Sequence, residues 1–288
     1  MSNIVWLASY PKSGNTWARI FLNNYILDGE APANINQLEE GMHAGTRELF
    51  DRLTGVESSD LTPGEIDRVR PWMYQQWVIE TDETLFVKVH DAWHFNADGN
   101  PIFPISATKT AVYIIRNPLD IVSSFANHYA LTRDETISIM GNAHYGLAYS
   151  THKLSRQLPQ FVGSWHSHAA SWTEIATLPV HLMRYEDMCL SPTETFGRLI
   201  QAIGLSFDSN RLAKAIRFSA FDQVKKQETA VGFIERRPGV TSFFRQGKFG
   251  GWQTELTPAQ INTVCHNHGK LMQRFGYLDS AGNPVIFD

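Results

Sequence analysis

The chain is poor in cysteine, and that scarcity excludes several classes at once. Two cysteines, Cys189 and Cys265, among 288 residues cannot build a disulfide framework or a thiolate cluster, and they fit a reducing compartment. Charge of one sign is also missing. Lys and Arg number 25 against 29 Asp and Glu, a net charge of −4, which argues against a general binder of nucleic acid or of an anionic membrane. Any anionic ligand must therefore be held by local groups. No apolar run approaches the roughly 20 residues needed to span a bilayer. The first apolar segment opens at Ile4 without a charged n-region, a long apolar h-region or a cleavage site, so a cytoplasmic protein is expected. Repeats, low-complexity tracts and linker-like Pro/Gly/Ser runs are absent, which predicts one domain over residues 1–288. With 43% hydrophobic and 19% charged residues, the chain has the composition of an ordinary globular core.

A further absence is more specific. Residues 4–17 read Ile-Val-Trp-Leu-Ala-Ser-Tyr-Pro-Lys-Ser-Gly-Asn-Thr-Trp: an apolar strand, a small polar loop, then a helix opening near Asn15 or Thr16. This is the layout of a phosphate-binding loop, in which backbone N–H groups at a helix start face an anion. The nucleoside-triphosphate version requires G-x-x-x-x-G-K-[ST]. Here Ser9 stands at the first Gly position and Asn15 at the Lys position, while Lys12 lies three residues earlier. The loop is expected to cradle a phosphate, with its lysine reaching a different part of the ligand. An obvious strand ending in Asp, which a Mg²⁺-dependent NTPase would need, is missing too.

Four short apolar runs, Ile4–Ala8, Leu85–Val89, Ala111–Ile115 and Val180–Met183, lack strict alternation. They predict strands covered on both faces. Helical patterns at Thr16–Leu27, Leu119–His128, Ser164–Ile175 and Thr193–Ile203 separate or follow them. The alternation predicts an α/β fold with a central parallel sheet flanked by helices. Segments 29–84, 129–160 and 225–250 are less regular and are expected to form lids and substrate walls.

In open parallel sheets, ligands bind beyond the carboxyl ends of the strands. The four runs end in the Lys12 loop, in Lys88-Val89-His90-Asp91, in Arg116-Asn117-Pro118 and in Arg184-Tyr185-Glu186-Asp187. A basic residue at every end predicts a ligand with several negative charges. Asn117 suits a helix cap and Pro118 the first helical position. Arg116 and Ser124 are placed to share a phosphate, unless Arg116 pairs with a carboxylate. Lys88 and His90 share a strand face. His90 is a candidate general base, or a hydrogen-bonded histidine at a sheet edge. His166/His168 and His266/His268 do not suggest a metal site, because positions i and i+2 of a helix diverge and no Cys or carboxylate cluster completes a ligand set. Residues 243–252, Phe-Phe-Arg-Gln-Gly-Lys-Phe-Gly-Gly-Trp, read as a mobile loop that closes on an anion through Arg245, Lys248 and backbone N–H groups.

Together these motifs resemble the PAPS-dependent sulfotransferases, close to the cytosolic type (PAPS is 3′-phosphoadenosine 5′-phosphosulfate; PAP is its desulfated product). The resemblance runs from residue 4 to about 252, in family order. Tyr10-Pro11-Lys12-Ser13-Gly14-Asn15-Thr16-Trp17 resembles the 5′-phosphosulfate loop. Arg116 and Ser124 resemble the 3′-phosphate pair. Gly163-Ser164-Trp165 with His168 and Trp172 resembles the G-S-W-x-x-H helix. Tyr185-Glu186-Asp187 resembles the Y-E-D turn, and Ser219-x-Phe221 with Arg245-Gln246-Gly247-x-x-Gly250-x-Trp252 the last two cofactor segments. The opening Trp-Leu-Ala-Ser-Tyr-Pro-Lys is also similar to bacterial enzymes that sulfate glycopeptide antibiotics.

The resemblance implies a P-loop-like PAPS sulfotransferase fold and the roles that go with it. His90 would take the proton from an acceptor hydroxyl, Lys12 would neutralise the leaving phosphate oxygen, and Lys88 would sit near the sulfuryl group. Trp17, Tyr185, Ser219 and Phe221 would hold the adenine. Arg116, Ser124, Arg245 and Gly247 would hold the 3′-phosphate, with Phe243 and Gln246 in the same cofactor segment. The reaction moves a planar SO₃ unit in line between two oxygens, by analogy with phosphoryl transfer, so it requires neither a covalent nucleophile nor a metal. Two positions depart from the family pattern. Gln246 stands where a lysine usually follows the arginine, with Lys248 as the nearby substitute. The K-x-x-x-T-V-x-x-x-E dimer signature keeps only Thr257, so dimerisation by that motif is not expected. The acceptor is expected to be a small molecule, an aromatic or polycyclic alcohol or phenol rather than an amine. Its pocket is expected to draw on Trp72, Tyr74, Trp77, Trp93, Phe95, Tyr129, Tyr145, Tyr149, Arg236 and Arg237. The competing readings are a P-loop nucleoside or nucleotide kinase and a non-catalytic nucleotide-binding module. The missing lysine at position 15 counts against the first, and retention of both Lys12 and His90 against the second.

Overall fold

The computed structural model describes residues 3–38, 42–149, 154–175 and 177–287. In chain order, β1 (Ile4–Ser9) runs into α1 (Asn15–Leu27). The short β2 (Met42–His43), α2 (Arg47–Thr54) and α3 (Pro63–Ile79) then lead to β3 (Leu85–Val89). Next come β4 (Thr108–Ile115), α4 (Pro118–Tyr129), α5 (Arg133–Gly141) and the two-residue strands β5 (Gly146–Leu147) and β6 (Gln160–Phe161). After α6 (Trp165–Thr173) follow β7 (Val180–Arg184), α7 (Tyr185–Leu190), α8 (Pro192–Ala202), α9 (Ser209–Phe218) and α10 (Phe221–Val231). The described chain closes with α11 (Trp252–Glu255) and α12 (Pro258–Arg274). All four expected strands form, in a parallel five-stranded sheet of order β2-β3-β1-β4-β7. β2 carries no apolar run that could have announced it.

Side chains on successive strand residues point to opposite faces, and the two faces of this sheet feed two cores. Ile4, Trp6 and Ala8 of β1 join Ala111, Tyr113 and Ile115 of β4 on one side. Val5 and Leu7 join Val112 and Ile114 on the other. The first core is covered by Leu119, Ile121, Val122 and Phe125 of α4 and by Trp165 and Trp172 of α6. The second is covered by Ala18, Phe21 and Leu22 of α1 and by Phe196 and Leu199 of α8. The helices that follow the adjacent strands β1 and β4 therefore lie on opposite faces. Their loops part at the carboxyl edge and open a crevice there, as at the switch point of an open α/β sheet.

Segments 29–84 and 129–160 are more regular than expected. α2 and α3 occupy the first and α5 the second, and α10 extends to Val231 in segment 225–250. Capping boxes Thr62/Glu65 and Thr132/Glu135 start α3 and α5, and Thr257/Gln260 starts α12. Those are local signals that a sequence displays. α3 hides its periodicity because its buried face includes Arg70 among Ile66, Met73, Tyr74 and Trp77. Among the described residues no helix is long and apolar enough to cross a membrane.

Candidate active site

The loop between β1 and α1 is built from two left-handed residues, Lys12 at φ 71° and Gly14 at φ 106°. Such a conformation costs a non-glycine residue about 1–3 kcal/mol, so its surroundings must hold Lys12 in place. Ser13 N–H donates to the Tyr10 carbonyl at 3.3 Å. Asn15 Nδ2 donates back to the Leu7 carbonyl at 2.7 Å and to Ser9 Oγ at 3.2 Å. The amide that replaces the NTPase lysine is thus a staple on the base of the loop. Gly14 has no alternative, since a Cβ there would meet Tyr185 Cδ2 at 2.6 Å.

A cleft of about 570 Å³ opens over this loop, within the size range of small-molecule sites. It gathers Lys12, Gly14, Asn15, Thr16, Trp17, Lys88, His90, Arg116, Ser124, Tyr185, Ser219, Phe221, Phe243, Arg245, Gln246 and Gly247. Of the catalytic and cofactor-binding residues expected from sequence, Ser13 alone is not on the wall; its hydroxyl is buried without a partner among the described residues. Several of the others have hydrogen-bonding or ionic capacity to spare. Trp17 Nε1 and Arg116 Nε are buried without partners among the described residues. Lys12 Nζ has no carboxylate within 4 Å among the described residues and stands 4.0 Å over the Phe243 ring. Burial, then the nearby Lys88 charge, push its pKa down to about 7.

Arg116 knits the cleft together. Its Nη1 donates to the Lys12 carbonyl at 3.3 Å and its Nη2 to the Lys248 carbonyl at 3.0 Å. Its guanidinium stacks 4.1 Å from the Tyr185 ring centre. No carboxylate pairs with it among the described residues, so its charge is not spent inside the protein. Arg245 differs: it makes a two-pronged contact with Glu255 at 3.0 and 3.1 Å, and Gln246 Nε2 joins the same carboxylate at 3.1 Å. Segment 243–252 is tied down at both ends. Glu228 accepts from the N–H groups of Phe243 and Phe244 at 2.6 and 3.2 Å, and Asp120 from those of Gly250 and Trp252 at 2.8 and 3.2 Å. Gly247 permits the closest approach, because a Cβ there would fall 2.1 Å from Phe221 Cδ2.

His90 Nδ1 lies 2.9 Å from the Ser9 carbonyl. A carbonyl only accepts, so Nδ1 carries the proton and Nε2 keeps a lone pair. Burial, then the Lys88 charge, hold the ring's pKa well below 6.5, and the imidazole is neutral at pH 7. The G-S-W-x-x-H helix fixes the backbone of this strand end. His168 Nε2 meets the His90 carbonyl at 3.1 Å, and Trp172 Nε1 donates to the Asp91 carbonyl at 2.9 Å. Beneath it the fully buried Asp91 carboxylate binds Arg70 at 2.7 and 3.0 Å. Sequence reading missed this pair, and also His43, whose ring is 6.2 Å from that of His90. It missed Glu235 as well, which reaches Lys88 at 3.1 Å and Arg19 at 2.6 Å. These partners are far apart in sequence and leave no periodic signal.

The aromatic wall expected for an acceptor is largely elsewhere. Only Tyr129 and Arg237 of the expected set line the cleft. Tyr74 and Trp77 belong to the core under β1. Trp93 packs on Phe103 and Trp172, and Tyr145 on Phe125. Trp72, Phe95 and Tyr149 are exposed, and Arg236 bonds the Thr241 carbonyl. The wall beyond His90 is instead mixed: Leu147, Ala148 and Phe243 beside His128, Gln157 and Arg237. Among the described residues no group of three His, Cys, Asp or Glu side chains is arranged to hold a metal.

Known proteins resemble this chain in sequence and in fold. Mouse (Mus musculus) sulfotransferase 1A1 is 23% identical over 278 residues, covering 93% of this chain and 84% of the mouse protein. Cytosolic sulfotransferase 17 of Arabidopsis thaliana is 27% identical over 304 residues, covering 96% and 77%. Among solved structures, mouse sulfotransferase SULT7A1 complexed with PAP superposes with a TM-score of 0.61 at 17% identity, over 98% of this chain and 87% of that one. Retinol dehydratase in complex with androsterone and PAP superposes with a TM-score of 0.63 at 16% identity, over 94% and 81%. These structural likenesses establish a shared fold. The family model of the sulfotransferase domain matches residues 2–276, and the chain therefore belongs to the sulfotransferase family, enzymes that move a sulfuryl group from PAPS to an acceptor.

Proposed function

We propose that the cleft holds PAPS and delivers its sulfuryl group to a hydroxyl of a small molecule, with His90 as general base. The observation that carries this reading is the His90 ring itself: neutral, with Nδ1 spent on Ser9 and Nε2 without a hydrogen-bond partner among the described residues, in a cleft that Lys88 also lines. Mere nucleotide binding has no use for such a base. The residues present fit the donor. The Lys12–Thr16 loop and the start of α1 suit the 5′-phosphosulfate, and Lys12 takes up the charge that develops on the leaving oxygen. Arg116, with Ser124 and Lys248 nearby, suits the 3′-phosphate. Trp17, Tyr185, Ser219 and Phe221 suit the adenine. The bound donor supplies an electrophilic sulfuryl group. His90 draws the proton from the acceptor hydroxyl as the new S–O bond forms, and Arg116 and Asn15 keep the loop in place throughout. The acceptor is a hydroxylated small molecule with an apolar body against Leu147, Tyr129 and Phe243 and a polar edge near Arg237. The androsterone held by the retinol dehydratase structure has an apolar body of that kind. A cytoplasmic location is supported by the cytosolic Arabidopsis relative.

The test is transfer of label from sulfur-labelled PAPS to panels of phenols, alcohols and amines without added metal. Acceptor-dependent labelling of hydroxyl compounds is expected. Mg²⁺-dependent phosphoryl transfer from ATP, with no binding of PAPS, would replace this reading with a kinase.

Lys12 adds a pH signature. Its ammonium has a pKa of about 7 in the free protein, and a bound phosphate raises that value by favouring the charged form. The affinity for PAP is therefore complete below pH 7 and is lost as pH rises through and above 7, because the free protein must then take up a proton to bind. Titrations between pH 7.5 and 9, where PAP is fully ionised, should show Kd rising by up to about tenfold per pH unit. Lys12→Arg, charged throughout, should flatten the slope, and an unchanged slope in that variant would remove Lys12 from the phosphate site.

A further inference from the structure

We propose that Glu235 is a built-in stand-in for the sulfuryl group, a specificity residue that sets how strongly the cleft prefers PAPS to PAP. This rests on the donor reading of the cleft. Glu235 Oε2 lies 3.1 Å from Lys88 Nζ and 3.4 Å from Thr16 Oγ1, while Oε1 lies 2.6 Å from Arg19 Nη1. Two of these three partners, Lys88 and the hydroxyl in the first turn of α1, face the cleft that the donor's anionic end would enter. The third does not: Arg19 is 5% exposed and lies off the wall. Glu235 thus joins the anion end of the cleft to a cation buried behind it.

The carboxylate imitates the ligand in charge and in partners. Burial alone would raise its pKa, but Lys88 and Arg19 outweigh burial and hold it well below the usual carboxylate range. It is ionised whenever the enzyme works. Two anions cannot both occupy the Lys88 subsite without a like-charge penalty. A ligand that carries a sulfuryl group must therefore take Lys88 from Oε2, while Oε1 keeps Arg19. A ligand that ends at the 5′-phosphate competes with Oε2 for Thr16 alone and leaves the Lys88 contact in place. Glu235 consequently weakens PAPS more than PAP, and Lys88 returns to Glu235 once the sulfuryl group has gone.

Binding of PAPS and of PAP, measured by calorimetry without acceptor in the wild type, Glu235→Gln and Glu235→Asp, tests this directly. In Glu235→Gln the ratio of PAP to PAPS dissociation constants should rise about tenfold, the scale of one close like-charge contact removed. Glu235→Asp keeps the charge and should stay near the wild-type ratio. PAP binding itself reports that each variant is folded. Equal tightening of both ligands would overturn the proposal by reducing Glu235 to a distant charge. Loss of both would also overturn it, marking the residue as a structural counterion for Arg19. A wild type that binds PAP and PAPS yet shows no change of ratio in Glu235→Gln defeats this inference alone. A wild type that binds neither defeats the donor reading beneath it.

Discussion

His90→Ala lowers kcat by about 10²–10⁴-fold, the usual yield of a positioned general base, and leaves the PAP dissociation constant within about twofold of wild type. The split follows from what the ring touches. Its Nδ1 bonds the Ser9 carbonyl, Nε2 has no hydrogen-bond partner among the described residues, and the residue lines the cleft. None of the candidate phosphate contacts passes through it. Losing the Ser9 bond costs about 1 kcal/mol of stability, too little to unfold the domain. His90→Asn, polar but unable to accept the proton, should fall with alanine. The pH profile gives a second readout. Burial and Lys88 keep the ring's pKa well below 6.5, so the base is already competent at that pH, and the wild-type kcat should show no acid limb near pH 6.5. An acid limb centred near pH 6.5 would mean that the base is an exposed histidine, and full activity in His90→Ala would remove it from the chemistry.

Arg116→Ala weakens PAP by about 2–5 kcal/mol, the cost of truncating one partner of a desolvated charge pair, while 5′-AMP, which lacks the 3′-phosphate, loses far less. The comparison of ligands is essential because Arg116 has two jobs. It braces the Lys12 and Lys248 carbonyls, so its loss loosens both loops for any nucleotide. Only the difference between the two ligands reports a phosphate contact. Arg116→Lys should recover little, since an ammonium cannot span both carbonyls, stack on Tyr185 and present a planar fork together. Equal losses for PAP and 5′-AMP would make Arg116 a brace alone.

The sheet and the anion loop were both legible because their signals are local. An apolar run of strand length between turn residues reads as a buried strand wherever it occurs, and β1, β3, β4 and β7 all formed where such runs stand. Asn117 and Pro118 announced α4 through cap chemistry confined to adjacent residues, and Asn117 Oδ1 accepts from Leu119 N–H at 3.0 Å. α3 and α5 also open on capping boxes, but both stretches read as irregular in sequence; in α3, Arg70 interrupts the apolar stripe. The aromatic acceptor wall failed for a different reason. An indole or phenol ring is as useful to a core as to a pocket, and sequence does not record which side of the backbone the cleft is on. Tyr74 and Trp77 went to the core, Tyr129 to the cleft.

Sequence by itself determined the α/β architecture, the Lys12 loop and the delivery of Lys88, His90 and Arg116 to strand ends, because periodicity, turn chemistry and burial act over a few neighbouring residues. Tertiary structure decided what those groups are chemically. His90 owes its tautomer to a carbonyl 81 residues away, Arg116 holds a carbonyl 132 residues away, and Lys88 meets Glu235 across 147. Protonation, desolvation and charge pairing depend on which atoms stand within a few ångströms, and only the folded chain sets those distances.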